Sequence, residues 1–131
     1  NPLVTFVDGI DTYPNYRACP AWANSRMFGG WSYIPATWPC YDGALCCEVL
    51  EHLTPKEGHA ALVAIKAVLK PGGMLCVTVP VGTGTRADYP GHVRRFSFHS
   101  LESAWESAGF RVTEEGRVGH PTIWLMVTTR A

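Results

Sequence analysis

Between residues 41 and 80 the apolar positions change period, and the changes mark out successive elements. Gly43-Ala44-Leu45-Cys46-Cys47 is a continuous apolar run rather than an alternating one, which predicts a strand covered on both faces. Ala61, Leu62, Ile65, Val68 and Leu69 then recur at helical spacing, opposite Lys56, Glu57, Lys66 and Lys70, so a helix with one buried stripe is expected. Thr54-Pro55-Lys56-Glu57 supplies its start: a hydroxyl to cap it, a proline that loses nothing in the first turn, and a glutamate able to reach back to the cap amide. Pro71-Gly72-Gly73 ends the helix and turns the chain, and residues 74–80 are the next apolar strand. Strand, helix and strand make a βαβ unit.

The flanks are less regular. Leu3-Val4-Thr5-Phe6-Val7 is β-branched and aromatic and predicts a strand that closes in the acidic turn Asp8-Gly9-Ile10-Asp11. Residues 12–41 are broken by Pro14, Pro20, Gly29, Gly30, Pro35 and Pro39, which excludes a long helix and allows a short strand at 31–34 after a short helix. Beyond a loop at 81–95, a helix is expected over 98–108, with Leu101, Ala104, Trp105 and Ala108 on one face, Ser97 as cap and Gly109 as stop. Residues 110–113 and 123–128 predict two strands able to pair antiparallel.

Composition narrows the class. The 131 residues suit one domain, and 47% hydrophobic with 17% charged side chains is enough apolar material for a core. Eleven basic residues balance eleven acidic ones, so bulk charge indicates neither a nucleic acid nor a membrane as partner. The five cysteines have no CxxC or paired zinc spacing, and Cys46, Cys47 and Cys76 lie in apolar runs, which predicts buried thiols in a reducing, cytoplasmic setting. The chain opens on Asn1 inside an apolar segment, giving the expectation that it is an amino-terminally truncated domain.

Four pieces in order carry a resemblance: Tyr41-Asp42-x4-Cys47-Glu48-Val49-Leu50-Glu51-His52-Leu53, Leu69-Lys70-Pro71-Gly72-Gly73-Met74-Leu75, His92-x3-Phe96-Ser97, and Ala108-Gly109-Phe110. Over residues 40–112 the chain resembles the C-terminal half of class I S-adenosylmethionine-dependent methyltransferases, including small-molecule O-methyltransferases with a Glu-x-x-Glu-His motif. The resemblance implies an α/β, Rossmann-like, mostly parallel sheet with an antiparallel C-terminal strand. It implies S-adenosylmethionine as cofactor and a small-molecule hydroxyl or amine as acceptor. Val7-Asp8-Gly9-Ile10-Asp11 is similar to the end of that family's second strand, whose carboxylate holds the cofactor ribose; Asp11 is the match, Asp8 the neighbour one register away, and a turn aspartate bonding its own backbone the structural reading. The family's first strand and glycine-rich loop have no counterpart in these residues. The strand at 43–47 is therefore expected to lack its neighbour unless residues 3–7 fill the slot, and cofactor affinity is expected to be weak or absent. A non-catalytic Rossmann-like binding module is the other reading.

Methyl transfer asks mainly for alignment of donor and acceptor, and the cofactor is expected at the carboxyl ends of the parallel strands, beside Cys46, Cys47, Glu48 and Asp11. If a helical coil starts at Glu48, then Glu48, Glu51 and His52 share one face. With His92 they form a candidate set for Mg2+ or Mn2+, as the resemblance implies for some members, since oxygen-rich donors suit those ions more than zinc. The same residues read structurally as a backbone-bonded histidine and a capping or ion-paired glutamate. His52 and His92 are the candidate general bases. Arg94 and Arg95 are candidates for holding an acidic or phosphate-bearing substrate, with a solvated loop the preferred reading given the neutral overall charge. Trp31, Tyr33 and Trp38 are candidates for a pocket wall or for pinning their loop.

Overall fold

A computed structural model describes residues 7–10, 25–28, 41–81, 89–117 and 122–129. The chain divides into two compact units, Asn1–Trp38 and Pro39–Ala131. In the first, β1 (Val7–Ile10) pairs in parallel with β2 (Ser25–Phe28). Asp8, Gly9 and Ile10 are thus strand residues rather than an acidic turn, and residues 25–28 form a strand within the stretch broken by prolines and glycines. Asp11 and the expected strand at 31–34 lie outside the described residues.

The second unit holds β3 (Tyr41–Cys47), a 3-10 turn (Leu50–His52), α1 (Pro55–Val68), β4 (Leu69–Pro80), α2 (Phe98–Ser107), β5 (Phe110–Arg117) and β6 (Thr122–Thr129). Its sheet runs β3-β4-β6-β5, with β3 parallel to β4 and β6 antiparallel to both its neighbours. Among the described residues β3 has one ladder partner, β4, and β1 pairs with β2 in a two-stranded sheet of its own.

The predicted signals act as their chemistry requires. The Thr54 hydroxyl accepts from the Glu57 amide, and the Glu57 carboxylate accepts from the Thr54 amide at 2.9 Å, closing a capping box. Ser97 and Ser100 close another at the start of α2. The α1 stripe is buried at Ala61, Leu62, Ile65 and Val68. Gly109 has φ +82, the left-handed conformation that stops α2 without a Cβ penalty, and its carbonyl accepts from Lys66 Nζ at 2.8 Å, tying α1 to the end of α2. Pro71-Gly72-Gly73 differs from expectation: the strand already begins at Leu69, and the three residues form an irregularity between the pairs Tyr41–Leu69 and Gly43–Met74, with Gly72 at φ +75.

Burial along β4 alternates. Leu75, Val77 and Val79 are fully buried on one face, joined by Cys46, the ladder partner of Val77. With Leu50, the α1 stripe, Phe96, Leu101, Trp105 and Phe110 they make the core. On the other face Leu45 is 79% exposed, Met74 is exposed, and Cys47 is exposed. Continuous hydrophobicity in β3 therefore does not mean two covered faces, and Cys47 is not the buried thiol expected. Among the described residues no helix is long and apolar enough to cross a membrane.

Two substitutions separate the faces. Leu75→Ala is expected to cost about 2–5 kcal/mol of unfolding free energy, and Leu45→Thr to change it by less than about 0.5 kcal/mol, both read from urea denaturation. In the same assay Thr54→Ala, which removes the α1 cap, is expected to cost about 1 kcal/mol.

Candidate functional site

The site is built at the carboxyl end of β3. The ladder with β4 extends one step past the strand, since the Glu48 amide donates to the Thr78 carbonyl at 2.9 Å. Glu48 then takes φ +54, the positive φ of a non-glycine residue, a conformation that costs of order 1–2 kcal/mol and is held by its surroundings. Its carboxylate accepts from Thr78 Oγ1 at 2.9 Å. No helical coil starts at Glu48: the left-handed residue breaks the path, and the 3-10 turn begins two residues later, at Leu50. The expected common face of Glu48, Glu51 and His52 is therefore not formed as the spacing suggested.

Three of the four acidic and histidine candidates do come together. Ligand atoms of Glu51, His52 and His92 lie within 4.8 Å of one another, and this group does not include Glu48. The Glu51 side chain is 1% exposed, and neither carboxylate oxygen has a hydrogen-bond partner among the described residues. His92 Nε2 stands 4.0 Å from Glu51 Oε1, beyond hydrogen-bond length. The His92 ring meets the His52 ring edge-on at 4.7 Å and the Tyr89 ring at 5.5 Å. His52 Nδ1 lies 3.0 Å from the Gly91 carbonyl oxygen; a carbonyl can only accept, so Nδ1 carries the proton and Nε2 of the neutral ring keeps its lone pair.

Backbone bonds bring His92 there. The His92 amide donates to the Tyr89 carbonyl at 2.9 Å, closing a turn through Pro90-Gly91. The amides of Val93 and Arg94 donate to the Glu51 carbonyl at 2.8 and 3.1 Å. The clamp thus joins the 3-10 turn to a loop some forty residues away in sequence. Arg94 lies over the Phe96 ring at 4.5 Å, and a side chain at Gly58 would come within 3.1 Å of its Nη1, so the residue packs across the start of α1.

Burial pushes the Glu51 carboxyl up to about 7, with the charge of Glu48 adding to it against the pull of His52. Burial likewise raises the Cys46 thiol to about 12. Cys46 is a core thiol that offers the site no side chain, whereas Cys47, on the opposite face, is exposed. Three participants carry little sequence signal: Thr78, Tyr89 and the Gly91 carbonyl. Thr78 had one, a hydroxyl inside the apolar run Cys76-Val77-Thr78-Val79 at the strand's carboxyl end. The other two depend on how the loop is clamped.

The pH dependence follows from the raised Glu51 carboxyl. Below about pH 4.5, its ordinary value, it is protonated in folded and unfolded chains alike. As pH rises toward 7 the unfolded chain ionises first, and stability falls until the folded group ionises too. Wild type is expected to lose up to about 3 kcal/mol from this group between pH 4.5 and 7.5, a loss that Glu51→Gln removes, as measured by urea unfolding across that range.

No family model and no curated protein matches this sequence. Solved structures do match by fold. The 1,6-didemethyltoxoflavin-N1-methyltransferase of Burkholderia thailandensis, bound to 1,6-didemethyltoxoflavin and S-adenosylhomocysteine, superposes with a TM-score of 0.73 at 19% identity, over 95% of this chain and 71% of its own. The N-methyltransferase NodS of Bradyrhizobium japonicum gives 0.72 at 15% identity, over 97% and 86%. SpnF, a [4+2]-cyclase, gives 0.64 at 17% identity, over 82% and 56%. Identities this low speak for the fold, and the cyclase shows that the fold also houses other chemistry. The chain has the fold of the class I S-adenosylmethionine-dependent methyltransferases.

Proposed function

We propose that the chain serves S-adenosylmethionine-dependent methyl transfer to a hydroxyl or amine of a small molecule. The observation that carries this reading is the cluster of Glu51, His52 and His92 immediately after the strained Glu48 turn, at the strand end where this fold class places its ligands. When bound, the cofactor supplies an electrophilic methyl group for an in-line displacement.

The chain's own residues would do the rest. Cys46 and Cys47 bring the backbone to the crevice, and Glu48, fixed by Thr78, presents its second carboxylate oxygen as an acceptor for cofactor donor groups. Asp11 is assigned the ribose hydroxyls by sequence position. His52 Nε2, left unprotonated by the Gly91 contact, takes the acceptor's proton as the bond to the methyl group forms. His92 packs edge-on against that ring and limits its rotation. The exposed Tyr89 and Val93 flank His92 and offer apolar surface to a small-molecule acceptor.

Calorimetric titration of the 131-residue chain with S-adenosylmethionine tests the reading. Weak or absent binding, short of low-micromolar affinity, is expected, because these 131 residues hold no glycine-rich loop of the kind the resemblance implies, and Glu48→Ala is expected to weaken any binding further. In a methylation assay His52→Ala is expected to lower kcat by about 10²-fold or more, with KM little changed. Low-micromolar affinity would show that the glycine-rich loop is dispensable.

A further inference from the structure

We infer that the Cys47 and Cys76 thiols, side by side on the outer face of the β3–β4 ladder, form a two-sulfur site for a soft monovalent cation of the Cu(I) class. The register is the first argument. Leu45 is the ladder partner of Cys76, and Thr78 that of Cys47, so the two cysteines are diagonal neighbours. Both leave the face opposite the core. Their strand neighbours Cys46, Leu75 and Val77 are buried, whereas Cys47 is exposed and Cys76 half-buried, and each is a free thiol.

Electrostatics supports the same pairing. Burial, and then the charge of Cys47, raise the Cys76 thiol above its ordinary value, so each sulfur lies within reach of the other's charge. Two thiolates placed this way repel one another, and a cation held between them removes the repulsion.

The spacing decides what the pair can do. Strands about 4.8 Å apart and a two-residue step of about 6.6 Å put diagonal Cα atoms about 8 Å from each other. That is beyond the roughly 6.8 Å that a disulfide tolerates. Two sulfurs on one ion stand farther apart than bonded ones, up to about 4.6 Å for metal–thiolate bonds of about 2.3 Å. Side chains leaning toward each other across the diagonal meet that longer span.

Donor number and softness then choose the ion. Structural zinc and iron–sulfur clusters ask for four protein ligands. The Thr78 hydroxyl, opposite Cys47, already donates to the Glu48 carboxylate at 2.9 Å, and opposite Cys76 stands the apolar Leu45. Two thiolates alone suit Cu(I), a soft d10 ion that sulfur donors select and that is stable with two of them. On binding, two S–H bonds break, two S–Cu bonds form and two protons pass to solvent. The site goes from neutral to one negative charge, and no electron moves.

The site is tested without S-adenosylmethionine or acceptor, so its failure leaves the methyl-transfer reading standing. The full chain, reduced and free of oxygen, competes with the coloured chelator bicinchoninate for limiting Cu(I). One Cu(I) per chain is expected to pass to the protein. Cys47→Ser and Cys76→Ser are each expected to weaken binding at least about 100-fold, because losing a ligand exceeds the roughly 10–100-fold loss that removal of a supporting partner brings. Cys47 is exposed, so its variant keeps the test open should Cys76→Ser disturb the fold. A chain carrying Cys19→Ser and Cys40→Ser together is expected to hold the ion as wild type does. The inference is overturned if the chelator keeps the ion, if either Cys47→Ser or Cys76→Ser binds as wild type, if the Cys19 and Cys40 variant loses the ion, or if diamide closes a Cys47–Cys76 disulfide in peptide mass maps.

Discussion

The carbonyl oxygen of Glu51 accepts hydrogen bonds from the amides of both Val93 and Arg94, and the candidate site depends on that pair. One end of residue 51 anchors the loop that carries His92, and the other end faces the His92 ring. Because the anchor is backbone, it is indifferent to the side chain at 51. Chemistry at this position can change while the loop stays where it is. The contact of His52 with Gly91 braces the same loop from the next residue, so two consecutive positions hold it at two points.

Much of the architecture could be read from residues because local chemistry and tertiary packing agree on it. Thr54 to Glu57 and Ser97 with Gly109 define helix ends by hydrogen bonds that each segment makes with itself, and the α1 stripe is buried as its period requires. Where the reading went astray, the deciding interaction came from outside the segment. Val7–Ile10 is a strand because β2 pairs with it, and Leu45 is exposed because one face of β3 is uncovered. At the site, the Glu-x-x-Glu-His spacing identified the right residues but assumed a continuous coil. The positive φ at Glu48, stabilised by Thr78 thirty residues on, separates the first glutamate from the other two. No local pattern records that conformation, since propensity argues against it for a glutamate.

The cluster also shows how burial sets the behaviour of a carboxyl group. Burial raises Glu51 to about 7, so near neutrality small changes in its surroundings decide whether it is a neutral acid or a carboxylate. Glu48, a few residues away, shares the sequence motif and is close enough for its charge to act on Glu51, yet it is exposed and its carboxylate accepts from Thr78. Two glutamates of one short motif thus differ in burial and in hydrogen bonding.

The sheet's mixed direction reaches the site from another side. Because β6 runs against β4, Thr122 stands beside Pro80 and Trp124 beside Thr78, at the end of the sheet where Glu48 leaves β3. Arg117 and Thr122, the facing ends of β5 and β6, therefore lie toward the same end of the sheet. Residues added at those two strand ends would meet the carboxyl end of β3 without altering a rung of the ladder.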